Sequence, residues 1–412
     1  MKFITIVPDG LADCIGSCAN NQTPMSVANT PYLSALSKYS KLGRCRTVPN
    51  GFIPGSDVAN MSILGYNPAV DFTGRAAIEA AAHDITVKPG HTATRLNFIT
   101  LSQDEGWEQR KMVSFNAGGI SNKEASELLK SLSALAKRDF PELKLSFCES
   151  FHHVVISPER IKSDASPPHD IIGQAIGAHL PTNPVILDFV MRGTELLENH
   201  PINRRRALRG ELPANAIWLW SSGGAMCLES FAQRNEGTRA CMITATDVLR
   251  GLAKSMEIKC IYVDGADGTL NTNYVGKGQA AINALICEGY DLAYIHIEAP
   301  DAAGHAKRSD DKIVSYERID EYIVGPLTQA MHAAGENYRL LVLPDHFTST
   351  IDGNHGAAPV PYMLYDSTAC RIANRYARFC EAYVRNLPVI NATALMSILL
   401  KNNADESICY PA

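Results

Sequence analysis

Asp291–His305 reads D-L-A-Y-I-H-I-E-A-P-D-A-A-G-H. Asp291–Ile297 is a short apolar run of the kind that forms a buried strand. It leads into an acidic residue, Asp301, with a histidine four positions later, His305. Two other stretches are built the same way. Lys2–Val7 alternates, is β-branched and runs into Asp9. Tyr338–Leu343 runs into Asp345 and His346, and His355 follows nine residues on. Around them strand and helix patterns alternate: Gly237–Thr244, Thr246–Leu252, Glu257–Val263, Gly278–Cys287 and Ile313–Ala334. Such alternation predicts an α/β fold with a mostly parallel sheet flanked by helices. Ligands of open α/β sheets bind at the carboxyl ends of the strands. Asp9, Asp301 and Asp345 are therefore expected to converge.

Composition narrows the class. Charged residues make up 20% and hydrophobic ones 46%, the balance of an ordinary globular chain, and the net charge is −5. Basic residues are scattered, so neither a nucleic-acid stripe nor a polybasic membrane patch is expected. No apolar run approaches the roughly 20 residues that span a bilayer. The start, M-K-F-I-T-I-V-P-D-G, reads as a first strand and not as a signal peptide. The 11 cysteines are odd in number and irregularly spaced, which predicts reduced thiols and a cytoplasmic protein.

Pro54–Tyr66 reads P-G-S-D-V-A-N-M-S-I-L-G-Y. Ser56 follows a Pro-Gly turn and precedes a run able to start a helix. It can serve as an N-cap. It can equally be a nucleophile held at the positive end of a helix dipole, where a phosphate is welcome. Thr73-Gly74-Arg75 opens a second helix through about Ala82.

From about Lys88 the pattern changes. Thr92–Leu101, Lys111–Phe115, Leu143–Phe147 and His152–Ile156 read as strands, and Lys123–Lys137 and Pro184–Asn199 as helices. This predicts a smaller α+β domain over 89–199 inserted between core segments 1–88 and 200–412. Ile217–Trp220 is expected to be a strand of the core.

Asp and neutral His are natural ligands for Mn²⁺ or Zn²⁺. Asp9, Asp301, His305, Asp345, His346 and His355, with Ser56, exceed what one ion normally uses. Two divalent ions are expected: Mn²⁺ first, with Zn²⁺, Co²⁺ or Mg²⁺ as alternatives. Two ions clamp both sides of an in-line phosphoryl displacement, and a metal-bound serine oxygen becomes a nucleophile near neutral pH. The six Asp and His donors thus favour Ser56 as the nucleophile.

At these residues the chain resembles a known family. P-D-G at Asp9, G-S-D-V-A at Ser56, T-G-R at Arg75, A-P-D-A-A-G-H at 299–305, D-H at 345–346 and H-G-A-A-P-V-P at His355 carry the likeness. So do P-P-H-D-I at 167–171, H-P-I-N-R-R-R at 200–206, P-A-N-A-I-W-L-W at 213–220 and N-Y-V-G-K-G-Q-A at 273–280. Together they are similar to the archaeal-type 2,3-bisphosphoglycerate-independent phosphoglycerate mutases of the alkaline phosphatase superfamily. The resemblance implies an alkaline-phosphatase-like core. It implies one metal on Asp9, Ser56, Asp345 and His346, and another on Asp301, His305 and His355. It also implies that Ser56 takes the phosphoryl group from one hydroxyl of glycerate and returns it to the other, interconverting 3- and 2-phosphoglycerate.

A small phosphorylated carboxylate needs cationic donors, and Arg75, Arg95, Arg206 and Lys277 are the candidates, with His153 and Asp170. The chain departs from the family's habit at P-D-G, at Gly356–Pro359 and after His305. These departures keep a second class open: a metal-dependent phosphomonoesterase or phosphotransferase, including the bacterial branch named for homoserine kinase activity. No G-x-x-x-x-G-K-[ST] loop supports ATP use. Neither nucleic acid nor membrane is an expected partner, and the sequence leaves monomer or homo-oligomer open.

Overall fold

The computed structural model describes residues 1–104 and 106–401. The chain forms two compact units: Met1–Phe72 with the segment from Leu228 onward, and Thr73–Cys227.

The first unit is built on an eight-stranded sheet. Its order is Val389–Asn391, Lys41–Arg46, Val360–Asp366, Tyr338–Val342, Lys2–Pro8, Leu292–Ile297, Ala240–Ile243 and Lys259–Ile261. Only Val360–Asp366 runs against the other seven. Every residue of Leu292–Ile297 and Tyr338–Val342 is buried, as expected of strands covered on both faces by helices. One face packs Ile4, Ile6, Ile295 and Leu340 against Tyr316, Ile319, Ile323 and Leu327. The expected long helix over 313–334 is Ser309–Ile319 and Gly325–Ala333 joined by a π-helical turn, Asp320–Val324. No helix of the described residues is long and apolar enough to cross a membrane.

The second unit is an antiparallel sheet with helices. His91–Leu101 lies at its centre and pairs with His152–Pro158, Met112–Ser114 and Ala216–Gly224, while Lys144–Glu149 extends it beyond His152–Pro158. Helices Asn122–Asp139 and Pro184–Glu198 cover one face through Leu128, Leu132, Leu135, Phe189, Val190 and Leu197.

This unit is longer at both ends than the expected insertion, 89–199. Helix Arg75–Ala82 packs Ala76 and Ala80 against Ala93 and Val154. Ala216–Gly224 pairs with His91–Leu101, placing Leu96 opposite Leu219. The apolar pattern of Ile217–Trp220 marks a strand but not its partner, so the boundary moves outward to Thr73 and Cys227. Gly74 stands at the first boundary with φ +127°, and a Cβ there would meet the Ser222 carbonyl oxygen at 2.4 Å.

Candidate active site

The carboxyl ends of three neighbouring parallel strands deliver the first donors. Asp9 follows Lys2–Pro8, and its N–H donates to the Ile297 carbonyl at 2.9 Å. Asp345 follows Tyr338–Val342. Asp301 lies in the first turn of helix Ala299–His305, directly after Leu292–Ile297. Asp9 and Asp345 are buried.

Ser56 is the first residue of helix Ser56–Ile63. The cap position belongs to Gly55, in extended backbone, and no side chain caps this helix. The N-cap reading of Ser56 is thereby corrected. Its hydroxyl instead donates toward both Asp9 carboxylate oxygens at 3.4 Å and lies 3.3 Å from His346 Nε2.

One ligand atom each from Asp9, Asp345 and His346 lies within 4.8 Å of the others, and the same holds for Asp301, His346 and His355. His305 joins the second group, with Nε2 3.3 Å from Asp301 Oδ2 and 2.9 Å from His355 Nε2. His305 Nδ1 contacts the Gly353 carbonyl at 2.8 Å and His355 Nδ1 the Pro54 carbonyl at 3.1 Å. These contacts orient both rings with Nε2 toward the group.

Gly10 permits this convergence. Its φ is +58°, and a Cβ would fall 2.3 Å from Thr348 Oγ1 and 2.5 Å from Asp301 Oδ1. The P-D-G turn therefore needs its glycine.

Burial raises the pKa of Asp9 well above the usual carboxylate range, and the charges of Asp345, Asp301 and Glu298 add to it. Burial also works against ionised Asp345, but His346, His296 and the Gly10 N–H hold its pKa below the usual range. Hydrogen bonds from His305 and His355 likewise outweigh burial at Asp301 and lower its pKa. Converging carboxylates and imidazoles with so little matching positive charge form a donor set that fits divalent cations.

Residues not anticipated from sequence complete the site. Asn60 Nδ2 donates to Asp345 Oδ2 at 2.9 Å and to the Ser56 carbonyl at 2.8 Å, while its Oδ1 accepts from the Tyr294 hydroxyl at 2.6 Å. Asn60 lies four residues after Ser56, so helical spacing carries that signal. His296 Nε2 is 3.2 Å from Asp9 Oδ2; its signal is a lone imidazole in an apolar strand. Thr348 Oγ1 touches Asp301 and His346. Behind it, buried Lys312 donates to the Thr348 carbonyl and to Asp13 Oδ2, the latter at 3.1 Å.

The substrate candidates divide. Arg75 and Arg95 of the second unit meet on buried Glu79, with Nε atoms 3.0 Å from Oε1 and 2.8 Å from Oε2 respectively. The Arg95 guanidinium also stacks 4.0 Å from the Trp220 ring centroid. Asp170 and its neighbour His169 are both exposed, and the His169 ring packs edge-on against Trp220 with centroids 5.3 Å apart.

Three candidates lie in structural positions. His153 is fully buried, with its ring beside Phe98 and Phe147. Arg206 is 3% exposed and held by the Leu212 and Ala117 carbonyls and by Glu124. Lys277, in the first unit, is fully buried and donates to the His296 carbonyl at 2.8 Å. Burial lowers its pKa to about 8. None of the three directs its charged or polar end to open solvent.

A serine hydroxyl among carboxylates and imidazoles, at the carboxyl edge of an α/β sheet, defines the class: an enzyme built to use divalent metal. The family follows from likeness to known proteins. Residues 37–203 match the family model described as 2,3-bisphosphoglycerate-independent phosphoglycerate mutase. An enzyme of that name from Methanothrix thermoacetophila is 38% identical over 373 residues, covering 90% of this chain and 92% of the relative. Another from Methanosarcina barkeri is 36% identical over 410 residues, covering 97% and 100%. The chain belongs to the 2,3-bisphosphoglycerate-independent phosphoglycerate mutase family. Among solved structures, a protein from Pyrococcus horikoshii aligns with a TM-score of 0.77 at 25% identity, over 97% of this chain and 96% of that one. The cofactor-independent phosphoglycerate mutase of Thermoplasma acidophilum shares the fold, with a TM-score of 0.62 at 24% identity over 97% and 99%.

Proposed function

We propose that this chain interconverts 3-phosphoglycerate and 2-phosphoglycerate without bisphosphoglycerate, through a phosphoserine on Ser56. The observation that carries the reading is the position of the Ser56 hydroxyl, 3.4 Å from both Asp9 oxygens and 3.3 Å from His346 Nε2. Asp9, Ser56, Asp345 and His346 would hold one divalent ion, and Asp301, His305 and His355 a second, with Mn²⁺ the proposed metal. When bound, the ions would lower the pKa of the serine hydroxyl and neutralise phosphate charge.

Ser56 Oγ gives up its proton and forms a bond to phosphorus as the bond from phosphorus to one glycerate oxygen breaks, and that oxygen takes up one proton, so none is gained or lost. The freed glycerate presents its other hydroxyl, which takes the phosphoryl group back and restores Ser56. The start of helix Ser56–Ile63 sets backbone dipoles toward the phosphate on Ser56. Asn60 keeps Asp345 in place throughout. In the second unit, Arg75 and Arg95 carry guanidinium groups suited to a carboxylate or phosphate. A reduced, cytoplasmic protein fits ten free cysteines among the described residues; Cys409 lies outside them.

The test is incubation of the purified protein with Mn²⁺ and 3-phosphoglycerate, without bisphosphoglycerate, following 2-phosphoglycerate and free phosphate together. Accumulation of 2-phosphoglycerate supports the reading. Phosphate release alone replaces it with a phosphomonoesterase.

A further inference from the structure

The second unit contains another set of metal-ligating side chains, which includes none of the strand-end residues. His83, Cys148 and His152 each bring one ligand atom within 4.8 Å of the other two. All three are half-buried, so an ion can reach them while the surroundings stay partly dry.

Two pieces of regular structure hold the set. His83 closes helix Arg75–Ala82, and its N–H bonds to the Glu79 and Ala80 carbonyls at 3.3 and 3.2 Å. Asp84 follows at φ +59°, and the Ile85 N–H returns to the Ala80 carbonyl at 2.9 Å, which fixes where the helix ends. Cys148 and His152 flank the turn of the hairpin Lys144–Glu149 and His152–Pro158. The pairing register shifts between Phe147 and Glu149, which leaves Cys148 as the bulged residue. Its N–H donates to His153 Nδ1 at 3.3 Å.

The surroundings suit a cation. The His83 and His152 rings are 5.6 Å apart between centroids. Cys148 packs on the apolar group of Ala76, Ala80, Ala93 and Val154. Glu79, one helical turn before His83, is a buried carboxylate that interacts electrostatically with His152. Two imidazoles and a thiolate form a softer set than the carboxylate-rich strand-end group, and softness selects zinc over manganese or magnesium.

We propose that His83, Cys148 and His152 bind one Zn²⁺ ion in the second unit. Three protein donors leave a fourth position for water or an anion. Binding deprotonates the Cys148 thiol and releases that proton to solvent. The proposal is independent of the mutase reading.

Cobalt is the probe, because a cobalt–thiolate bond gives a near-ultraviolet charge-transfer band that Asp and His ligands cannot produce. The full chain, stripped with chelator, is titrated with Co²⁺. The expected result is that band, with the final intensity of one cobalt–thiolate bond per chain and bleached by added Zn²⁺. It should persist in Asp301→Ala and vanish in Cys148→Ser and in His83→Ala. Absence of the band in the wild-type chain at saturating Co²⁺ would overturn the proposal whatever the variants do. A band that survives Cys148→Ser, or that excess Zn²⁺ leaves intact, would overturn it too.

Discussion

The Thr348 hydroxyl donates to Asp301 Oδ1 at 2.5 Å and lies 3.2 Å from His346 Nδ1. A single side chain thus touches both donor groups. Thr348→Val keeps the shape and removes the hydrogen bonds. Loss of such an outer partner typically costs about 10- to 100-fold in metal affinity or activity, and that loss is expected here. Thr348→Ser retains the hydroxyl and should restore metal binding. Metal titration of the two variants decides it: equal affinities would show that the hydroxyl does not orient Asp301.

Ser56→Ala separates chemistry from architecture. Gly55, not Ser56, occupies the cap position, so the helix start should survive, with a stability change within about 0.5 kcal/mol. Metal binding should stay largely intact, because Asp9, Asp345 and His346 remain together, and phosphoryl transfer should be abolished. Substantial 2-phosphoglycerate formation by this variant would remove the phosphoserine from the mechanism.

Lys312 tests the support behind the site. Its buried ammonium holds Asp13, which also accepts from the Thr350 N–H and hydroxyl. Lys312→Met leaves a buried carboxylate without its cation, and breaking such pairs costs about 3–5 kcal/mol. Urea unfolding should show a loss near the lower end, since Thr350 still serves Asp13. A loss below about 1 kcal/mol would mean that neutral donors alone satisfy this carboxylate.

His153 makes the second unit acid-sensitive. Burial first, and then the charges of His152 and His83, lower its pKa from 6.5 to about 3. Below the unfolded value of 6.5 the unfolded chain takes up a proton that the folded chain refuses. The stabilisation is complete above that pH and is lost as pH falls toward 3, with a slope approaching about 1.4 kcal/mol per pH unit. All three tryptophans, Trp107, Trp218 and Trp220, lie in this unit, so their fluorescence reports its unfolding. His153→Gln should flatten the pH dependence between 6.5 and 4. An unchanged slope would assign the acid sensitivity to other groups.

Much of the strand-end group was readable because it rests on local rules. Asp9, Asp301 and Asp345 follow apolar strands, and parallel strands share one carboxyl edge. The imidazoles stand near those acids in sequence. What failed depended on distant partners. Arg206 looks like an anion donor until Glu124, 82 residues away, is placed against it. Lys277 looks the same until its ammonium is found on the His296 carbonyl. An isolated sequence shows a cation but not whether another part of the chain already neutralises it. The same reasoning explains the misplaced boundary at Ala216–Gly224, whose partner strand is His91–Leu101.

Lys2–Pro8 lies between Leu292–Ile297 and Tyr338–Val342 in the sheet. During synthesis this strand emerges early, and both flanking strands emerge much later. The complete Thr73–Cys227 unit leaves the ribosome in the interval. The first unit's sheet must therefore close around a segment that has waited unpaired, and such long-range closure is slow and prone to aggregation. Asp9 and Ser56 also remain without Asp301, Asp345 and the imidazoles until late in translation. A nascent chain can present an apolar edge to chaperones well before it can capture metal.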